Sequence, residues 1–118
     1  MSYLTVRTRE AGEGTSVVYV NGYLNSLLGE EVERSVHDIL DAGRQRIVLN
    51  FEGTRLINSI GISFIIGIVE RMMERNGTLA FCSLSRINRE LFQMTGVSRY
   101  VRAFDSEEEA LAYFAQTI

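Results

Sequence analysis

The segment Asn58-Ser59-Ile60-Gly61 places an amide, a hydroxyl and a glycine inside an otherwise apolar stretch. A hydroxyl at the start of a helix accepts a hydrogen bond from an N–H group of the first turn, which predicts that Ser59 is an N-cap. A phosphoryl group also suits this position, because a helix N-terminus has unpaired N–H groups and a partial positive charge. The pattern therefore predicts a structural cap at a position that also suits a negatively charged group.

The next positions of this helix allow two interpretations each. Gly61 is either an ordinary helix residue, which lowers the stability of the helix by about 1 kcal/mol relative to Ala, or a point where a partner protein approaches Ser59 closely. We favour the close approach of a partner, because it would explain why a residue that destabilises the helix stands at its start. Ile66 and Ile68 lie off the main apolar stripe of the helix. They are either covered by a neighbouring helix or part of an exposed apolar patch, which would mark a protein interface.

The side chains that enzymes commonly use are scarce. Every basic residue is Arg, so there is no P-loop lysine and no Schiff-base lysine. His37 is the only histidine, which excludes a two-histidine metal site and a Ser-His-Asp relay. Cys82 is the only cysteine, and its apolar neighbours indicate a small buried side chain rather than a reactive thiol. We therefore expect a protein that is not an enzyme and that needs no cofactor.

Length and charge narrow the class of protein further. A chain of 118 residues predicts one domain that spans residues 1–118. A net charge of −3 gives no strong attraction to nucleic acid or to an anionic membrane. The longest apolar stretch, residues 56–69, is interrupted by polar residues and glycines and is shorter than the roughly 20 residues of a membrane span. With no recognisable signal peptide at the start, we expect a cytoplasmic protein.

Hydrophobic periodicity predicts the element order β-β-α-β-α-β-α-β-α. Alternating residues at 3–10 and 15–22 flank a glycine-containing turn and predict an N-terminal hairpin. The strands at 46–51 and 78–84 are apolar on both faces, which is typical of covered strands in a parallel sheet. A short strand is expected at 100–104. The sequence therefore predicts a single α/β domain with a mixed, mostly parallel sheet.

Four helices complete this order. The first covers residues 27–43 and ends at Gly43 in the C′ position, and the third begins at Ser85 as its N-cap. The fourth opens with a capping box of Ser106 and Glu109. The predicted core-facing residues of the first three helices are, in order, Leu28, Val32, Val36, Ile39 and Leu40; Ile62, Ile65, Val69, Met72 and Met73; and Ile87, Leu91 and Met94.

Binding sites of such sheets gather at the carboxyl ends of the parallel strands. Three loops, 22–26, 56–60 and 84–86, follow strands and are expected to share this edge. The polar residues of the opening segment lie in the second of them.

With this order in place, three segments resemble the STAS domain, and within it the small anti-sigma-factor antagonists of bacteria. The segment "VYVNGYLNS" is similar to an apolar family strand followed by Gly-x-Leu-Asp. The segment "RIVLNFEGTRLINSIGISFII" is similar to a strand, the motif Asp-Ser-Ser/Ala-Gly and an apolar helix. The segment "ELFQMTGVSRYVRAFDSEEEAL" is similar to the Leu-Phe-x-x-x-Gly segment and the Glu-rich start of the last helix. The resemblance covers nearly the whole chain.

The resemblance implies a regulatory module that binds an anti-sigma factor with serine kinase activity. It implies that this kinase phosphorylates Ser59, that the phosphorylated antagonist is released, and that a serine phosphatase resets it. The partner-binding residues that this implies, together with the three loops at the strand ends, are Asn25, Ser26, Ile57, Asn58, Ser59, Ile60, Gly61, Ser85 and Arg86.

The sequence departs from the family pattern at three positions. Asn58 and Asn25 stand where the family has Asp, and Ile60 stands where it has a small residue. The candidate site is therefore less negative than the pattern implies. These departures leave two alternatives open. One is a scaffold subunit of a multi-STAS complex, which weak self-association would favour and in which Ser59 is a cap only. The other is a module that senses a nucleotide or small molecule at the same edge.

Overall fold

The computed structural model describes residues 6–116, and its element order is the predicted one. Residues 3–5 of the first predicted strand lie outside the described residues. The strands are β1 Val6–Glu10, β2 Thr15–Val20, β3 Arg46–Asn50, β4 Thr78–Cys82 and β5 Arg102–Phe104. The helices are α1 Ser26–Asp41, α2 Ser59–Glu74, α3 Arg86–Met94 and α4 Glu107–Gln116, with a short 3₁₀ helix at Val97–Arg99.

The five strands form one sheet in the order β1-β2-β3-β4-β5. β1 pairs antiparallel with β2, whereas the other three pairs are parallel. The prediction of a mixed sheet with an N-terminal hairpin is therefore confirmed. α1, α2 and α3 pack on one face of the sheet, as right-handed crossovers between neighbouring parallel strands require. α4, which follows the last strand, packs on the other face.

The face under α1, α2 and α3 carries the larger core. Three aromatic rings meet there, with centroids 5.2 Å apart for Phe51 and Phe81, 5.6 Å for Phe51 and Phe92, and 5.2 Å for Phe81 and Phe92. Aromatic pairs of this kind add about 0.5–1.5 kcal/mol each beyond the burial of their area. This cluster fixes α3, which carries Phe92, against the ends of β3 and β4.

The opposite face carries a smaller core under α4. Val17, Val48 and Cys82 pack there against Ala110 and Phe114 of α4. Burial raises the pKa of the Cys82 thiol to about 11, which keeps it neutral at physiological pH. The prediction that Cys82 is buried is confirmed. Because apolar residues line both faces of β3 and β4, these strands have the two-sided pattern that the sequence shows.

The predicted stripe of α1 is largely correct. Its core-facing residues are buried, apart from Ile39, which is half-buried. Gly43 has a φ of +86°, as expected for a C′ glycine. Its N–H donates to the carbonyl of Leu40 at 3.0 Å, and that of Arg44 donates to Ile39 at 3.2 Å, the two bonds of a Schellman motif.

The predicted buried face of α3 is wrong at two of its three residues, while Leu91 is half-buried and packs against the core. Ile87 is 71% exposed and Met94 is 83% exposed, whereas Asn88 and Phe92 are buried. Phe92 turns inward because it joins the aromatic cluster, and Asn88 follows because it lies one turn away on the same side of the helix. Burial of the Asn88 side chain is offset by a hydrogen bond that its amide donates to the carbonyl of Thr54 at 3.0 Å.

In α2, the burial predicted for Met73 is corrected, and the two interpretations of Ile66 and Ile68 are decided by their exposure. Met73 is 62% exposed, so it does not belong to the core stripe. Ile68 is fully buried, which settles one of the two off-stripe residues, while Ile66 is 38% exposed. The exposed residues of α2 therefore include large apolar side chains at Ile60, Ile66 and Met73.

Candidate functional site

The segments that follow β2 and β3 lie side by side at the carboxyl edge of the parallel strands. Leu24 and Ile57 form an isolated parallel bridge. The N–H of Leu24 donates to the carbonyl of Leu56 at 2.9 Å, and the N–H of Asn58 donates to the carbonyl of Leu24 at 3.1 Å. These bonds extend the parallel pairing beyond the strands, so the starts of α1 and α2 are fixed next to one another.

Asn58, not Ser59, is the N-cap of α2. The Asn58 side-chain oxygen accepts a hydrogen bond from the N–H of Gly61 at 2.8 Å. Its backbone is extended, with φ −93° and ψ 179°, as an N-cap requires. Ser59 is the first residue of the helix and is exposed. The prediction that Ser59 is the cap is therefore wrong, because the amide one residue earlier reaches the same orphan N–H groups.

The start of α1 has the same construction. Asn25 is its N-cap and accepts from the N–H of Leu28 at 3.1 Å, and Ser26 is the first, exposed residue of the helix. Leu24-Asn25-Ser26 and Ile57-Asn58-Ser59 are thus two copies of one local arrangement. Asn caps a helix as well as Asp does, so the two departures from the family pattern keep the caps and remove the charge. Neither helix has an acidic residue in its first turn.

Gly61 has a structural reason that the sequence did not reveal. A Cβ on Gly61 would overlap the carbonyl oxygen of Leu24 and lie 2.9 Å from its carbonyl carbon. Gly61 is itself buried. The chain's own backbone after β2 therefore makes a close approach at this position.

The third predicted loop, residues 84–86, is held at the same edge through buried polar groups. Ser85 caps α3 as predicted and accepts from the N–H of Asn88 at 3.1 Å. Asn88 in turn donates to the carbonyl of Thr54, and the hydroxyl of Thr54 donates to the carbonyl of Val20 at 2.6 Å. This chain of bonds connects the start of α3 to the ends of β2 and β3. Arg86 is solvent-exposed at the start of α3.

Sequence reasoning missed Thr54 and Asn88, which are both buried. Thr54 sits between charged residues in the sequence, a context that suggests a surface loop. Asn88 lies four residues before Phe92, and this spacing was the available signal. The helical spacing of Ile87 and Met94 was the stronger pattern in the sequence, but both side chains are exposed in the structure.

Exposed apolar side chains flank both serines. We call Tyr23, Leu27, Leu56 and Ile60 the apolar collar; they are 49%, 69%, 62% and 51% exposed. Two of them follow the serines directly, since Leu27 comes after Ser26 and Ile60 after Ser59. A cluster of this kind, with polar helix starts at its centre, is typical of a protein-binding surface.

Other kinds of site find less support in the part of the chain that the structure describes. No group of three or more His, Cys, Asp and Glu residues within 6–116 is placed to hold a metal ion. Among the described helices, none is both long and apolar enough to cross a membrane.

Comparison with known proteins agrees with this geometry. The model of the STAS domain family matches residues 7–110. A candidate anti-sigma factor antagonist of Bordetella bronchiseptica, BtrV, is 26% identical over 107 residues, which cover 91% of this chain and 92% of that protein. An anti-sigma F factor antagonist of Paenibacillus polymyxa is 22% identical over 103 residues, covering 86% and 88%. The structure of the Bacillus cell fate determinant SpoIIAA in its phosphorylated form is similar in fold, with a TM-score of 0.74, 21% identity and coverage of 92% and 98%.

Proposed function

The chain belongs to the STAS domain family, and we propose that it is an anti-sigma-factor antagonist whose binding is controlled by phosphorylation of Ser59. Unmodified, it binds an anti-sigma factor with serine kinase activity through the edge that carries residues 22–26, 56–61 and 84–86. Phosphorylated, it is released, and a serine phosphatase restores the binding form. The protein acts in the cytoplasm as a regulator and not as an enzyme.

The observation that carries this proposal is the position of Ser59. It is the first residue of α2, it is exposed, and it lies within the apolar collar. Because Asn58 provides the cap, the Ser59 hydroxyl has no hydrogen-bond partner among residues 6–116 and is free to react. A kinase can therefore modify it without first disrupting the helix.

The start of α2 tolerates a phosphoryl group. Asn58 occupies the N–H of Gly61, while the N–H groups of Ser59 and Ile60 precede the first intrahelical bond. These groups and the helix dipole favour an anion at this position. The neutral side chain of Asn58 adds no repulsion, as Asp would. The new charge of nearly −2 therefore acts mainly on the docked partner, which must desolvate or repel it.

The similar proteins support the proposal. Two of them are named as anti-sigma factor antagonists, and one solved structure of the same fold is a phosphorylated form. The substitution of amides for two family carboxylates, at Asn25 and Asn58, leaves this surface with fewer charges. We therefore expect its partner to rely more on apolar contact with the collar, and less on basic residues, than partners of antagonists with both Asp residues.

A kinase assay tests the assignment directly. The candidate anti-sigma factor encoded by the same organism is incubated with ATP and with wild type, Ser59→Ala or Ser26→Ala. Ser26 is the matched control, because it has the same cap, the same helix position and an exposed apolar neighbour. We expect one phosphoryl group on wild type and on Ser26→Ala, and none on Ser59→Ala. Modification of Ser59→Ala to the wild-type level would reject Ser59 as the switch.

A further inference from the structure

A groove lies between the second half of α2 and the turn that leads from α3 into the 3₁₀ helix. Its volume is about 480 Å³. Its lining residues, which define what we call the α2 groove, are Ile66, Val69, Glu70, Met73, Thr95, Gly96, Val97, Arg99 and Tyr100. The other side of α2 is covered by α1. Phe64 of α2 packs against Gly29 of α1 so tightly that a Cβ on Gly29 would lie 2.5 Å from the Phe64 ring. α2 is thus covered on one side only.

Apolar side chains project from the walls of the α2 groove. Met73 is 62% exposed, Tyr100 is 67% exposed and Ile66 is 38% exposed. Met94 is 83% exposed and lies immediately before the Thr95–Gly96 turn that lines the groove. Large apolar side chains grouped in this way on a surface mark an interaction site. Met and Tyr are also among the residues enriched in protein interfaces.

Two charges of opposite sign stand on opposite walls of this groove. Glu70 belongs to α2, and Arg99 belongs to the 3₁₀ helix. Other arginines form ion pairs, as Arg71 does with Glu74 and Arg89 with Asp105. Within residues 6–116, neither Glu70 nor Arg99 has an ion-pair partner. The groove therefore presents an unpaired carboxylate and an unpaired guanidinium beside exposed apolar groups.

We propose that the α2 groove is the interface through which two copies of this chain associate. In a two-fold dimer the same patch meets itself, so each contact occurs twice with the roles exchanged. Glu70 of each copy then faces Arg99 of the other, and Met73 of each copy packs on Tyr100 of the other. Met–aromatic contacts of this kind are favourable. A patch with one acid, one base, one thioether and one aromatic ring is complementary to itself.

This interface is separate from the proposed switch. Ile66, the groove residue nearest to Ser59 along α2, lies seven residues from it, which is about 10 Å of helix. The dimer leaves the apolar collar of both copies open, so the antagonist binds its partner as a dimer without competition between the two surfaces. Loss of dimerisation is therefore expected to leave phosphorylation of Ser59 unchanged, and the two proposals fail independently.

Charge reversal with sedimentation equilibrium tests the dimer. The samples are wild type, Glu70→Arg, Arg99→Glu and an equal mixture of the two variants, with Glu108→Arg as the control for the same charge change on the exposed surface of α4. Each single variant creates two like-charge contacts across the two-fold axis. We expect its dimer dissociation constant to rise at least about tenfold, or 1.4 kcal/mol. The mixture restores both opposite-charge pairs and is expected to associate like wild type, and the control is expected to be unchanged.

Three outcomes would overturn the proposal. The first is a wild type that remains monomeric up to about 1 mM, where even an interface with a millimolar dissociation constant is half occupied. The second is association of the single variants as strong as that of wild type. The third is a mixture that associates no better than its components. Thermal melts of each variant establish that the reversed charges, both exposed, leave the fold intact.

Discussion

The starts of α1 and α2 have the same construction, and their difference at the third helical residue is instructive. Both have an apolar residue in the Leu24–Ile57 bridge, an Asn cap and an exposed serine as first helical residue. The third helical residue is Leu28 in α1 and Gly61 in α2. Leu28 fills the core, whereas Gly61 makes room for the Leu24 carbonyl. Local sequence thus determines how each helix is capped, and the neighbouring segment determines what the next turn can contain.

The start of α4 is negatively charged, in contrast to the starts of α1 and α2. Its first turn contains three glutamates, of which Glu107 accepts hydrogen bonds from Asn50 at 3.0 Å and from Arg9. Partial burial raises the pKa of Glu107, but these hydrogen bonds and the Arg9 charge outweigh it and hold the pKa below its usual value. The negative charge that suits a helix start is built into α4, whereas the first turns of α1 and α2 contain no acidic residue.

The largest expected effect separates Gly61 from an ordinary helix glycine. Gly61→Ala forces a methyl group against the Leu24 carbonyl, a backbone group that cannot rotate away. We expect the free energy of unfolding to fall by about 2–3 kcal/mol. Gly67→Ala is the control in the same helix, since its Cβ would meet only a glutamate oxygen at 3.7 Å. It should stabilise the protein by up to about 1 kcal/mol. Equal effects of the two substitutions in urea unfolding would contradict this account of Gly61.

The caps give the next largest effect. Asn25→Ala and Asn58→Ala each leave an N–H of the first turn without its partner, and each is expected to cost about 1 kcal/mol. Ser26→Ala and Ser59→Ala remove exposed hydroxyls outside the caps and should change stability by less than about 0.5 kcal/mol. Urea titrations of the four variants check this ranking. A larger cost for Ser59→Ala than for Asn58→Ala would restore Ser59 as the cap.

A smaller, pH-dependent effect is expected at α4. Glu107→Gln removes a carboxylate whose pKa is lower in the folded protein, so its contribution is present above the unfolded pKa of about 4.3 and disappears as pH falls through the folded value. At neutral pH we expect a loss of about 0.5–1 kcal/mol, because the Arg9 side of the pair is half exposed. Thermal melts at pH 7 and pH 3 measure it. A difference between wild type and variant that persists undiminished at pH 3 would show that the charge is not the cause.

Regular periodicity made most of the fold predictable from the sequence. The two-sided apolar strands, the C′ glycine of α1 and the Ser85 cap all follow from local rules, and all are observed. The error in α3 occurs where a polar residue is buried for a tertiary reason. α3 was predicted with the wrong face because the partner of Asn88, the Thr54 carbonyl, lies in a loop far away in the sequence.

The candidate site was predictable in its location but not in its details. The rule that strand ends gather at one edge predicted that the loops after β2 and β3 meet. Asn and Ser both cap helices, so local rules did not distinguish Asn58 from Ser59 as the cap of α2. The role of Gly61 depends on the Leu24 carbonyl, which lies far away in the chain. The exposure of Leu27 and Leu56 was equally hidden, because apolar residues next to a helix start usually suggest burial.

Paired measurements of stability and partner binding on wild type, Ser59→Ala and Ser59→Asp test the central claim most directly. A carboxylate at the first position of α2 suits the helix dipole, so Ser59→Asp should be as stable as wild type or up to about 1 kcal/mol more stable. It should nevertheless bind the anti-sigma factor at least about tenfold more weakly, a loss of 1.4 kcal/mol, because the anion lies within the apolar collar. Ser59→Ala should bind as wild type does. If Ser59→Asp is fully folded and binds as tightly as wild type, Ser59 does not control binding.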